Sequence, residues 1–187
     1  MQKNFFLLSL LAILIAAVPA SAQERYFTRD AIVKFDATAK SSPEDIKATS
    51  NAGTCVLDKS NGNVEMAVLV KGFLFEKALM QEHFNENYME SGKFPKATFK
   101  GKIDNIAGVD FSKDGTYNTT ASGKLTMHGV EQSVSAPIVF TVKNGVANAY
   151  VRFNATLADY GIKIPSLVSD KLAKQAVIEI SATFQKM

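Results

Sequence analysis

Between Thr116 and Phe140 the chain alternates in character with a period of two on either side of a His-Gly pair, and this stretch constrains the fold more than any other. Tyr117, Thr119, Ala121, Gly123, Leu125 and Met127 share one face, with Asn118, Thr120, Ser122, Lys124 and Thr126 on the other. Successive side chains of a strand point to opposite faces, so this is the pattern of a half-buried strand. His128-Gly129 reads as a tight turn, because glycine takes positive φ without steric cost. From Val130 a second strand returns, with Val134, Ala136, Ile138, Phe140 and Val142 facing one way. Two long antiparallel strands on so short a loop make an antiparallel sheet the frame for everything else.

The remaining segments supply more strands of the same kind. Ala31, Val33, Phe35 and Ala37 share a face between Arg25 and Ala39. Ser42-Pro43-Glu44-Asp45 has a helix-start signature, with a serine cap, proline in the first turn and early acids, and predicts a short helix ending before Ser50. Thr54–Asp58 and Asn63–Lys71 read as strands joined through Asn61-Gly62. From Phe75 to Ser91 the period changes: Leu79, Met80, Phe84 and Tyr88 fall at helical spacing, and Gly92 is the expected terminator. Phe94–Ile103 leads into a strand with Phe99, Gly101 and Ile103 inward; others follow after Asn144-Gly145 at Val146–Leu157, and at Ala176–Phe184, with a helical turn expected within Ser166–Lys174. The total is about eight antiparallel strands and one substantial helix, enough to close a barrel. A sandwich is the other arrangement of the same elements.

Many inward positions are small: Ala31, Ala37, Gly101, Ala121, Gly123, Ala136, Ala147, Ala149, Ala155 and Ala182. A sealed barrel needs bulky side chains to reach interior packing density. Small residues therefore mean either an interior void suited to a ligand, or close packing in a taper or sandwich. The residues alone leave both open.

Residues 1–22 are expected to be a targeting segment rather than part of the fold. Lys3 precedes an apolar run from Phe5 to Val18, and Pro19-Ala20-Ser21-Ala22 fits a small-x-small cleavage site after Ala22. The run is shorter than the roughly 20 residues of a membrane span. Residues 23–187 then form a single exported domain. Cys55 is the lone cysteine, so no internal disulfide is expected, and a buried small hydrophobe is the plain role for it. The formal net charge of +3 is built from scattered residues of both signs, with no basic run interleaved with aromatics, which disfavours nucleic acid.

Catalytic and metal signals are sparse. No Gly-x-Ser-x-Gly elbow is present. The two histidines, His83 and His128, come with no cysteine pair and no His-x-x-x-His, short of the three or four clustered ligands that a metal needs. Glu82 and Glu86 are like charges four apart on a helix, a solvated face. No cofactor motif appears, and the chain is read as a non-enzyme.

Three segments resemble the YceI-like family of bacterial periplasmic proteins. The first runs from His83-Phe84 through Tyr88-Met89 into Phe94-Pro95-Lys96-Ala97-Thr98-Phe99, like the family's helix followed by an aromatic-Pro-x-x-Thr-Phe strand. The second is Gly123-Lys124-Leu125-Thr126-Met127-His128-Gly129-Val130, and the third is Asp159-Tyr160-Gly161-Ile162, like an Asp-Phe-Gly-Ile segment. The resemblance implies a lipocalin-like antiparallel barrel, exported to the periplasm, that holds a long apolar chain such as a polyisoprenoid, an isoprenoid quinone or a fatty-acid derivative. It shifts the weight toward the cavity. It also implies transient contact with a membrane or membrane protein. The basic residue that often precedes the Asp-Phe-Gly segment is replaced by Leu157-Ala158, which points to a different or uncharged headgroup.

On that reading Phe35, Met66, Val68, Phe84, Tyr88, Phe99, Leu125, Met127, Phe140, Val151, Phe153 and Ile180 are the expected ligand-binding residues, with His83, Lys93 and Tyr160 as candidate rim contacts. Two other readings compete. One is a filled-core envelope interaction or stress module without an internal ligand. The other is a lipid hydrolase or isomerase with His83 as general base.

Overall fold

The computed structural model describes residues 24–187; the expected targeting segment, residues 1–22, lies outside them. Nine strands occur among the described residues: β1 (Arg25–Thr38), β2 (Lys47–Asp58), β3 (Asn63–Leu69), β4 (Leu74–Phe75), β5 (Lys96–Ile103), β6 (Gly115–Met127), β7 (Val130–Lys143), β8 (Val146–Thr156) and β9 (Leu172–Lys186). The order around the sheet is β1-β9-β8-β7-β6-β5-β3-β2, and β1 also pairs with β2. All pairings are antiparallel, so the long strands close into an eight-stranded up-and-down barrel with no free edge among them. The two-residue β4 hangs on β2 outside this cycle.

The organising hairpin is as the alternation requires. β6 and β7 pair without interruption from Met127↔Val130 to Gly115↔Val142. His128 (φ 52°) and Gly129 (φ 75°) are both left-handed, as are Asn144 (φ 52°) and Gly145 (φ 76°) between β7 and β8. Two left-handed central residues make a turn whose twist matches that of its strands. Gly129 has a second reason to lack a side chain, since a Cβ there would sit 2.3 Å from the Phe94 ring. The His128 ring tethers the turn to its surroundings: Nδ1–H donates to the Tyr160 carbonyl (2.9 Å), and Nε2 lies 2.8 Å from a Glu90 carboxylate oxygen.

Three local expectations are corrected. No helix forms at Ser42. Ser42 Oγ instead donates to the Glu44 carbonyl (2.7 Å), a turn bond available to the same residues that cap helices. Ala48 and Ser50 are inward positions of β2, which begins at Lys47 and pairs with β1 from Asp36↔Lys47 onward. The helix is also shorter than Phe75–Ser91. α1 spans Ala78–His83 and continues as a wider π turn over Phe84–Tyr88, while Phe75 belongs to β4. Gly92 does not end it. Glu90 takes the left-handed conformation (φ 42°) and is held there by His128. The third correction concerns Asn61-Gly62, where only Gly62 is left-handed and the Asp58 carboxylate gathers the Ser60 N–H (2.9 Å) and the Asn61 side-chain amide (3.1 Å), giving a longer loop than a two-residue turn.

One end of the barrel is plugged. Ile106, Val109 and Phe111 from the β5–β6 connection pack on Tyr26, Phe140 and Phe184. Phe111 lies 4.6 Å from Tyr26 and 5.5 Å from Phe140, ring centre to ring centre. At the other end Phe73, Phe84, Met89, Leu157 and Ile162 form a second cluster beneath α1 and the β8–β9 connection.

Candidate ligand cavity

The interior is not filled. A cavity of about 550 Å3 runs between the two core clusters. The small inward residues explain the space: Ala121, Ala136, Ala149, Ala155 and Ala182 all lie on its wall, where larger side chains would have met across the barrel. Gly101 and Gly123 face each other across β5 and β6, and the tip of the Phe99 ring covers both: a Cβ would come within 2.6 Å of it at Gly101 and 2.9 Å at Gly123.

The structure places all twelve expected wall residues on this cavity. Phe35 comes from β1, Met66 and Val68 from β3, and Phe99 from β5. Leu125 and Met127 come from β6, Phe140 from β7, Val151 and Phe153 from β8, and Ile180 from β9. Phe84 and Tyr88 reach in from the π turn. Phe84 is the centre of an aromatic group, with ring centroids 5.0 Å from Phe75, 5.6 Å from Phe35 and 5.7 Å from Phe73. Edge-on and tilted pairs at such separations are the favourable aromatic arrangement.

The three candidate rim residues separate. His83, exposed on α1, lines the mouth. Lys93 and Tyr160 do not line the cavity. The Lys93 ammonium lies over the Phe94 ring (4.8 Å), and the Tyr160 side chain is buried in the core cluster next to the His128 turn. In their place the mouth carries residues that were not among the expected site residues: Glu44 from the β1–β2 connection, Lys77 just before α1, and Lys171 just before β9, with Leu79, Ile164 and Val168. Phe73 and Phe75 also line the cavity, although Phe75 was expected to open the helix. The charged three had no local signal. Glu44 and Lys77 form an ion pair. The hydrogen bond from Lys77 holds the Glu44 carboxyl below the usual carboxylate range, and Lys171 adds a weaker pull in the same direction.

Cys55 lies on the wall, and burial pushes its thiol pKa up to about 12. An unfolded cysteine ionises near about 8.5. Stability held by the protonated thiol is therefore intact below about pH 8.5 and lost as the pH rises toward 12, by up to roughly 5 kcal/mol. Burial moves Tyr88 and Tyr160 in the same direction. In urea titrations at about pH 8 and about pH 10.5, Cys55→Ala should lose less stability between the two pH values than the unaltered protein does; equal losses would contradict the assignment. Among the described residues no group of His, Cys, Asp and Glu is arranged to hold a metal ion.

A closed antiparallel barrel around a large apolar cavity with a charged mouth defines a lipocalin-like class of protein. The YceI-like domain family matches residues 26–184, and the chain belongs to this family. Solved structures share the fold at low sequence identity. A polyisoprenoid binding domain from Saccharophagus degradans, implicated in plant cell wall breakdown, superimposes with a TM-score of 0.73 at 11% identity, over 88% of this chain and 99% of that one. BcnA of Burkholderia cenocepacia gives 0.64 at 14% identity, over 82% and 96%. The Campylobacter jejuni YceI protein gives 0.55 at 15%, over 75% and 85%. No curated protein matches the chain.

Proposed function

We propose that this protein binds one long apolar lipid inside the barrel, a polyisoprenoid, isoprenoid quinone or fatty-acid derivative, and serves as its carrier or store in the periplasm. The observation that carries the reading is the apolar cavity of about 550 Å3. Such a volume falls within the range of roughly 300–1,000 Å3 typical of small-molecule sites. On the scale of about 24 cal/mol per Å3 for cavities in protein cores, leaving it dry and empty corresponds to on the order of 10 kcal/mol, comparable with a whole domain's stability. An apolar chain removes that penalty and gains about 0.8 kcal/mol for each methylene buried. The polyisoprenoid binding described for the Saccharophagus degradans relative supports the same class of ligand.

Binding, rather than turnover, is the proposed activity. His83 at the mouth is exposed and has no hydrogen-bonded acid or base beside it among the described residues, which is a poor arrangement for proton transfer. The periplasmic setting is supported by the charge-then-apolar pattern of residues 1–22. Protein recovered from the envelope should begin at Gln23 by N-terminal sequencing; a retained Met1 would contradict export with cleavage.

The binding proposal is tested by uptake. Protein stripped of lipid should take up a fluorescent polyene fatty acid to about one equivalent, with the emission gain of an apolar setting. Saturating ligand at about 100 times Kd should add about 2.7 kcal/mol to the unfolding free energy. No uptake, or uptake without stabilisation, would contradict an internal site.

A further inference from the structure

We infer that the ligand carries an anionic head, and that Lys171 at the mouth receives it. The inference rests on the reading of the cavity as a lipid site and specifies the other end of that lipid.

Four titratable side chains that can carry charge at neutral pH line the mouth: Glu44, Lys77, His83 and Lys171, one from each of three chain connections and one from α1. Glu44 is already engaged by Lys77. Lys171 is different. It is half-buried, and among the described residues its ammonium makes neither an ion pair nor a hydrogen bond. Its backbone is nevertheless fixed from both sides, with its N–H donating to the Val168 carbonyl (3.0 Å) and its carbonyl accepting from the Ala39 N–H (3.0 Å). A positioned cation therefore sits at the border of an apolar cavity, within the field of Glu44 but without an ion-pair or hydrogen-bond partner of its own among the described residues.

The charge count at the mouth points the same way. Among the side chains that line the mouth, two lysines share the single carboxylate of Glu44. Partial removal of a cation from water is unfavourable unless a partner takes the place of the water. A carboxylate or phosphate on the end of a buried chain supplies that partner through a charge-assisted hydrogen bond. A quinone ring, an amide or an alcohol supplies no charge.

The test compares heads on one chain. Lipid-stripped protein is titrated at about pH 8 with laurate, dodecyl phosphate and lauramide, each competing with the fluorescent polyene probe. An apolar cavity with no head contact would rank lauramide first, because an amide leaves water more readily than an anion. With Lys171 as the receiving group, at least one anion binds about ten-fold or more tightly than lauramide, and which anion does so names the head. Lys171→Met should reduce that advantage to about two-fold or less, with a lipid-free melting curve like that of the parent reporting that the variant is folded. Lys171→Arg should keep it. Lauramide binding as tightly as both anions, or Lys171→Met leaving the gap intact, overturns the inference while the lipid site stands. If none of the three binds, the lipid site itself falls.

Discussion

Replacing Gly123 with valine is expected to prevent the barrel from folding. Gly123 of β6 sits opposite Gly101 of β5. A Cβ at Gly123 would lie 2.4 Å from the Lys100 carbonyl oxygen, 2.5 Å from the Gly101 Cα and 2.9 Å from the tip of Phe99. Two of these neighbours are backbone atoms in the same ladder and cannot move without parting β5 from β6. The third is a ring that covers both glycines and forms part of the cavity wall. Overpacking of this kind costs about 1–3 kcal/mol where a core can adjust. Here a closed ring of strands resists adjustment, so the loss should exceed roughly 3 kcal/mol and approach a domain's whole stability. Gly92→Ala is the control: it has no atom within 4 Å of its Cβ position and no positive φ, so its change should stay within about 0.5 kcal/mol. Urea unfolding followed by circular dichroism measures both. A Gly123→Val protein with an unchanged midpoint would contradict the close approach of the two strands.

Filling the cavity from its wall should have the largest effect on binding. Val151 lies on the β8 face of the cavity, opposite Ile138 on one side and Ile180 on the other, and is only partly buried although it points inward. Tryptophan there has free volume to enter, so Val151→Trp should fold with a melting temperature equal to or above that of the lipid-free parent. The same ring occupies space the ligand needs. Displacing two or three methylenes at about 0.8 kcal/mol each weakens binding by about 2 kcal/mol, or roughly thirty-fold. Probe titration together with thermal melting reads both quantities. Unchanged uptake by a folded Val151→Trp protein would place the lipid elsewhere.

What could be read from the residues followed the range of the interactions involved. The β6–β7 hairpin, the His128-Gly129 and Asn144-Gly145 turns and the inward faces are local, and they appear in the period of two and in the choice of turn residues. Knowing the inward faces gave the cavity wall as soon as the strands closed, which is why Phe35, Phe99 and Ile180, far apart in the chain, line one space. The reading went astray where one local signal serves two structures. Ser42-Pro43-Glu44 suits a helix start and a turn equally, and the pairing of β2 with β1 decided for the turn. Gly92 is the usual helix terminator, but Glu90 is held left-handed by His128, a contact 38 residues away that no window of sequence displays. The mouth is the extreme case. Glu44, Lys77 and Lys171 have no spacing in common and meet only because three connections lie at the same end of the barrel. The motif containing Tyr160 suggested the mouth, whereas its 3-10 turn buries that side chain in the core instead.

Whether the cavity holds a lipid is read by purifying the protein from its native envelope without added lipid, extracting it and identifying the extract by mass spectrometry. A near-stoichiometric apolar species is expected, and its mass distinguishes isoprenoid, quinone and acyl chain. A protein that emerges empty, and that then takes up none of these lipids when offered them, would contradict it.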